Sequence, residues 1–373
     1  MKIIQVDLEN KHQVREYLDL PFRIYKDMPQ WVPPLMMDER ARLNARRYPF
    51  YKHSQAGFFS AYEGKQAVGR LAVMDNRLYN AHNQKKTAFF YMFECEDHAE
   101  SARLLFQAGF DWACERGLTE MIGPKGFTAL DGFGLLVRGF EHRPAFGLPY
   151  NPAYYIPLIE MQGFSPAEES VSGYLGASIK FPQRIHELAG RLAERRGLRI
   201  QTYRNRQELR SLIPHLKDLY NDTLGEMQNG TPITEEEARS MAEQMIWFAD
   251  PKLIKTVMKD SRIVGFLLAY PDLSAALQKT QGRLFPFGWL ILLRELKRTE
   301  WLNINGAGLI PEYRGSGGTA ILYSEMFKSV VENGQFRHAE VVQIGVENEK
   351  MQREMENFGI DFYKTHRVYR RDL

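Results

Sequence analysis

The chain has 373 residues, 44% of them hydrophobic and 25% charged, with a formal net charge of +3. That length suggests two domains, each able to bury its own core. The near-neutral balance gives no electrostatic footprint for nucleic acid. Two cysteines, Cys95 and Cys114, build neither a disulfide framework nor a zinc cluster, and the nine histidines show no paired metal-ligand spacing, so no metal is expected. The first residues, Met-Lys-Ile-Ile-Gln-Val-Asp, bring charge before any long apolar run and do not read as a signal peptide. Phe285 to Leu293 is too short to span a bilayer. A cytoplasmic protein with no membrane and no nucleic-acid partner is the expectation.

The order of elements repeats once along the chain. In the first half, residues 57–62 and 67–74 read as strands around a turn at Gly64, followed by a strand at 89–94. A helix is predicted from about 99 to 116, with Leu105, Ala108 and Trp112 on one face and Gly117 as its stop. A strand at 120–123, a helix over 152–162 and a closing strand at 171–175 complete the half. In the second half, strands at 253–258 and 263–269 flank a turn at Asp260-Ser261, and 302–310 is the next strand. A helix over 318–332 carries Leu322, Met326 and Val330 on one face. Then come a strand at 340–346, a helix at 350–357 and a closing strand at 362–369. Gly176, Ser178 and Pro182 break the pattern and place the boundary between domains 1–177 and 178–373. An addition at 272–298 reads as two short helices, forming either a lid over a cleft or a covering element of the core. The basic stretch Lys364, His366, Arg367, Arg370 and Arg371 reads as a solvated strand edge.

The segment 308–320, Gly-Leu-Ile-Pro-Glu-Tyr-Arg-Gly-Ser-Gly-Gly-Thr-Ala, follows a strand and opens a helix. Glycines there allow a tight turn whose N–H groups, with the helix N-terminus and Arg314, suit an anion such as pyrophosphate. A Gly-rich turn without ligand is the alternative. Two other segments are weighed as structured loops with a possible substrate contact: the Gly-rich 123–134 and Tyr150-Asn-Pro-Ala-Tyr-Tyr155.

The 308–320 segment resembles the acyl-CoA N-acyltransferase (GNAT) superfamily, whose motif Pro-x-Tyr-Arg-Gly-x-Gly is matched by Pro311, Tyr313, Arg314, Gly315 and Gly317. Thr319 stands where glycine or alanine is usual. The resemblance implies an α/β fold of two tandem GNAT-type domains, each a mixed, mostly antiparallel sheet flanked by helices. It implies acetyl-CoA or another acyl-CoA as co-substrate. Leu309 and Ile310 would offer backbone groups to the pantetheine, and Arg314, Gly315, Ser316, Gly317, Gly318 and Thr319 would cradle the pyrophosphate. It further implies transfer of an acyl group to a small-molecule amine or amino-acid-like acceptor. A non-catalytic acyl-CoA-binding or scaffold protein and a Fem-type aminoacyl transferase are the alternatives.

For catalysis, Glu347 at a strand end is the first candidate base, with Glu226 a second. Asn303 and Asn305 alternate on one strand face and would orient water or substrate, or merely bond a neighbouring strand. The family's acid tyrosine falls on Met355 here, which leaves Tyr363 and Tyr369 downstream as substitutes. In the first half the corresponding turn, residues 94–102, has no glycine and carries Glu94, Glu96, Asp97 and Glu100. An acidic helix start meets its own dipole and repels phosphate, so one CoA per chain, on the second domain, is expected.

Overall fold

Two short hairpins set the pattern of both sheets. Glu63 pairs with Gln66 across Gly64-Lys65, and Lys259 pairs with Arg262 across Asp260-Ser261. Gly64 and Asp260 take positive φ (59° and 53°), the reversal that a two-residue hairpin requires. The computed structural model describes residues 1–128, 131–176, 183–225, 229–314 and 317–373. Among these, the strands in chain order are β1 (Lys2–Gln5), β2 (Gln55–Glu63), β3 (Gln66–Asp75), β4 (Thr87–Cys95), β5 (Glu120–Gly123), β6 (Leu135–Arg138) and β7 (Ser165–Gly176). They continue with β8 (Leu198–Thr202), β9 (Ile254–Lys259), β10 (Arg262–Pro271), β11 (Trp301–Leu309), β12 (His338–Gly345) and β13 (Asp361–Asp372).

The chain forms two compact units. The first holds Met1–Val171, Ser274–Leu292 and Tyr363–Leu373; the second holds Ser172–Leu273 and Leu293–Phe362. Compared with contiguous halves 1–177 and 178–373, two segments of the later half lie in the first unit. Residues 177–182, where the boundary is read from sequence, lie outside the described residues.

In the first unit the strands run β1-β2-β3-β4-β5-β13, with β7 beside β13. β4 and β5 are parallel; β1 to β4 are otherwise antiparallel neighbours. The helix Ala99–Cys114 lays Leu105, Phe106 and Trp112 on the sheet, where Phe106 meets Phe90 edge-on and packs with Phe164. In the second unit β8-β9-β10-β11-β12 lie side by side in that order; β11 and β12 are parallel, and β8–β9, β9–β10 and β10–β11 are antiparallel. The helix Gly318–Asn333 buries Ile321, Leu322 and Met326 against Leu302, Ile304 and Val341, and Gly334 in the left-handed region ends it.

The closing strand read at 362–369 forms, but it closes the first unit's sheet rather than the second's. β13 pairs antiparallel with β5, Tyr369 opposite Gly123 and Asp372 opposite Glu120, and with β6, Arg367 opposite Leu135. Its basic stretch is correspondingly a solvated edge only in part, Arg370 being exposed. Lys364 and His366 are buried, Lys364 donating to Arg143 O (2.8 Å), while Arg367 pairs with Glu169 (2.7 Å) and Arg370 with Glu120 (2.7 Å). The pattern of a strand shows which residues face inward; it does not name the partner strand, and here that partner is about 250 residues away by chain.

Two outcomes test this exchange. In a chain ending at Ile360, amides of Glu120–Gly123 should lose hydrogen-exchange protection, because β5 then has an open edge; unchanged protection would place β13 elsewhere. His366 gives a pH signature. Burial, with Lys364 nearby, lowers its pKa from 6.5 to about 4, against a hydrogen bond to Pro149 O. The unfolded chain therefore binds this proton first as pH falls, and stability is lost between pH 6.5 and 4. Thermal melts should show a shallower acid loss for His366→Gln than for the parent; equal slopes would dismiss the effect.

Candidate functional site

The second unit's central strand is interrupted where its sequence has Asn305-Gly306. Against β10, Ile304 faces Ala269 but Ala307 faces Leu267, so β11 carries an extra residue, and Gly306 sits at φ 104°. This is a β-bulge, which kinks a strand and re-aims it. On the other side, β11 pairs with β12 only from Trp301–His338 to Ile304–Val341. Beyond the bulge the two parallel strands part. Ile310 N–H donates to Val264 O (3.0 Å), which makes 264 and 310 a hydrogen-bonded pair. By alternation, Ala307 and Leu309 turn their N–H and C=O groups away from β10, onto the open edge. Leu309 thus offers its N–H there, its carbonyl being held by Arg314 (3.1 Å), whereas the N–H of Ile310 is committed within the sheet.

The turn that follows leads into the helix Gly318–Asn333. Its N-cap, Gly317, has φ 90°, no side-chain cap hydrogen bond and no acidic residue in the first turn. The first N–H groups of a helix are orphaned and favour an anion. Gly318 is buried against Leu309, and a Cβ on Gly317 would run into Leu192 of the helix Gln183–Arg196. Thr319 is half-buried in the first turn. Gly315 and Ser316 lie outside the described residues, as does Glu226. The Arg314 guanidinium donates to two carbonyls, Leu309 O (3.1 Å) and Thr223 O (2.9 Å), so it braces the loop in this structure.

Asn303 and Asn305 converge on one atom. Both side-chain amides donate to Tyr270 Oη on β10, at 3.2 and 2.8 Å. Burial raises the Tyr270 pKa well above 10, and the phenol stays protonated. The asparagines thus bond a neighbouring strand, and Tyr270, which sequence reasoning did not select, is the centre of the cluster. Glu347 is exposed two residues past the end of β12, its carboxyl folded over Gly345. Met355 is fully buried in the second unit's core. Tyr363 and Tyr369 belong to the first unit: Tyr363 Oη accepts from Lys364 Nζ (3.0 Å) and its ring meets His142 edge-on, while Tyr369 is fully buried.

The first unit repeats the bulge and the parting of strands. Register against β3 shifts between Arg70–Glu94 and Ala72–Tyr91, Met92 has φ 50°, and β4 pairs with β5 only through Phe89–Ile122. Cys95, opposite Gly69, corresponds to Leu309, opposite Gly265. Here the open edge is taken. Tyr155 Oη accepts from Cys95 N–H (2.9 Å) and Tyr154 Oη donates to Cys95 O (3.0 Å). Glu94, whose pKa burial raises, accepts from Tyr155 (2.8 Å) and Tyr25 (2.7 Å) and faces Arg70 at 3.7 Å. The following helix is capped by its own chain, His98 Nδ1 accepting from Ser101 N–H (3.2 Å), with Glu100 in the first turn. The acidic turn was legible in sequence; the tyrosine plug was not, because two adjacent tyrosines before a helix read equally well as packing residues.

A repeated bulged strand, parted from a parallel neighbour and followed by a helix, is the fold of the GCN5-related N-acetyltransferases, present here in tandem. Among solved structures, a tandem GNAT protein from the clavulanic acid biosynthesis pathway matches with TM-score 0.58 and 12% identity, over 100% of this chain and 98% of that one. Two proteins are similar along nearly their whole length. One is the bacterial ceramide synthase of Caulobacter vibrioides (strain NA1000 / CB15N), 27% identical over 381 residues, covering 99% of this chain and 97% of that protein. The other is protein YghO of Escherichia coli (strain K12), 25% identical over 370 residues, covering 98% and 94%. No family model matches the chain.

Burial of Met355 decides what substitution there does. Met355→Tyr would force a larger polar side chain into a filled core, which costs about 1–3 kcal/mol. A lowered melting temperature is expected, without the gain in acyl transfer that a restored acid would give; a variant as stable as the parent would show instead that the site has room.

Proposed function

We propose that the chain is an acyl-CoA-dependent N-acyltransferase whose second unit holds the thioester, and that the acceptor is an amphiphilic long-chain amine. The observation that carries the first part is the parting of β11 from β12 beside a helix start without a side-chain cap. A pantetheine arm in that gap takes the place of a strand, bonding the outward backbone of Ala307 and the N–H of Leu309. The pyrophosphate lies at Gly317, Gly318 and Thr319, with Gly315 and Ser316 completing the turn. Arg314 acts in this reading by holding Leu309 O and Thr223 O, fixing the loop on which the anion rests.

The chemistry is one substitution at the thioester carbonyl. The neutral amine nitrogen forms the C–N bond, the C–S bond breaks, CoA leaves as its thiolate, and the nitrogen gives up a proton. Backbone N–H groups at the bulge stabilise the oxyanion on the way. Glu347 takes the proton, directly or through water. Asn303 and Asn305 act through Tyr270 as positioning residues that hold the bulged strand. The name of the Caulobacter relative supports the acceptor class, since ceramide is the amide of a long-chain amino alcohol. A second reading, binding of acyl-CoA without turnover, is supported by the core burial of Met355, which leaves the family's acid position without a group to protonate the thiolate.

Acyl-CoA turnover with long-chain amines, read as free thiol, separates the readings: thiol release that requires the amine supports transfer, and tight CoA binding without release supports the second. Under the first, Glu347→Gln should lower kcat by roughly 10²-fold; an unchanged kcat removes Glu347 as the base. Calorimetric titration should give one CoA per chain. The full chain is required, because residues 1–176 alone lack β13; a stoichiometry near two would overturn the assignment to the second unit.

A further inference from the structure

Eleven large apolar side chains stand exposed among the described residues, and six of them fall within nine consecutive positions: Phe285, Phe287, Trp289, Leu290, Ile291 and Leu293. Phe285 is 80% and Phe287 71% exposed. Single exposed apolar residues are ordinary, whereas such a run marks an interaction surface. The sequence leaves 272–298 as either a lid over a cleft or a cover for the core; within the helix Gly288–Leu296, Leu292 is the residue that turns inward.

The base of the run is firmly rooted in the first unit. Gln278 Nε2 donates to Pro29 O and Trp31 O (2.8 and 2.9 Å), Gly282 O accepts from Met36 N–H (3.0 Å), and Arg283 pairs with Asp19 (3.3 Å) while lying over the Phe22 ring. The apolar side chains are thus presented on a fixed base. Trp289 Nε1–H donates to Pro286 O (3.0 Å), so its polar atom already has a partner and the indole can leave water at little cost.

Charge selects the occupant. Residues 279–298 carry five basic side chains and one acidic one, and Arg294, Lys297 and Arg298 are exposed immediately after the apolar run. Apolar and aromatic groups next to outward cations suit the boundary between anionic headgroups and acyl chains. A protein partner with an acidic rim would need a complementary shape; a bilayer needs only depth and charge. No helix among the described residues is long and apolar enough to cross a membrane, which leaves surface binding open.

We propose that residues 285–293 form an interfacial anchor that inserts Phe285, Phe287 and Trp289 into an anionic lipid surface, with Arg294, Lys297 and Arg298 meeting the headgroups. The anchor stands on geometry and charge, independently of the acyl-transfer reading. Where both hold, an amphiphilic acceptor reaches the enzyme without leaving the bilayer for water.

Co-sedimentation of the full chain with phosphatidylcholine vesicles, with and without about a third phosphatidylglycerol, tests it. The parent should bind the anionic vesicles, and Phe285→Glu/Phe287→Glu should bind them about tenfold or more weakly. Arg294→Gln/Lys297→Gln/Arg298→Gln should weaken binding to the anionic vesicles more than to the neutral ones. Circular dichroism checks that the variants are folded, and the exposure of all five positions predicts that they are. A parent that stays in the supernatant with both vesicles, or a Phe285→Glu/Phe287→Glu variant that binds like the parent, overturns the proposal. So does sedimentation velocity showing a dimer that this variant splits, since a second copy would then cover the face. Thiol release with a water-soluble amine, measured separately, shows whether acyl transfer stands or falls apart from the anchor.

Discussion

Backbone groups on a strand that has lost its neighbour must find another partner, because an unpaired buried amide is expensive. Each unit creates that demand deliberately at a bulge. Gly306 in one and Met92 in the other let the strand carry one extra residue, and the parallel partner falls away beyond it. How the exposed edge is satisfied separates the two copies. In the first, the hydroxyls of Tyr154 and Tyr155 occupy the N–H and C=O of Cys95. In the second, Arg314 takes the C=O of Leu309, and the edge at Ala307 and the Leu309 N–H opens beside a helix whose N-cap is a glycine. A gap of that kind accepts a ligand that can pair like a strand and end in an anion.

The two turns reinforce the difference electrostatically. A helix capped by His98 and with Glu100 in its first turn has its orphan donors and positive pole engaged by its own chain. A helix that begins Gly317-Gly318-Thr319 keeps both for something else. The tyrosine plug also draws Glu94 inward, where two hydroxyls and Arg70 hold it. The carboxylates counted in sequence as one repulsive group therefore serve two ends: Glu100 remains outside beside Arg103, and Glu94 becomes part of a buried polar core.

Much of this was legible from residue order. Turn residues at 64 and 260, the apolar faces of the helices after β4 and β11, and the glycines at 317 and 334 each act through local backbone geometry, which sequence reports directly. What was not legible depends on distant partners. Lys364 and His366 look like surface residues until β6 and the Arg143 and Pro149 carbonyls meet them. Tyr270 reads as an ordinary strand aromatic until two asparagines from the next strand meet at its oxygen. The run at 285–293 reads as core by hydropathy alone, and only its placement turns the same side chains outward.

The exchange of β13 bears on how the chain is made. A ribosome delivers β1 to β7 first, and the edge of β5 that β13 will cover stays bare until residues near 370 have emerged. An uncovered strand edge is a template for unwanted pairing, so the early half waits through most of synthesis in a state prone to misassociation. The charged side chains of the incoming strand, Arg367 toward Glu169 and Arg370 toward Glu120, then select it over other candidate strands when it arrives. Pairing strands so far apart in the chain makes folding of the first unit wait for β13 rather than follow directly on β7.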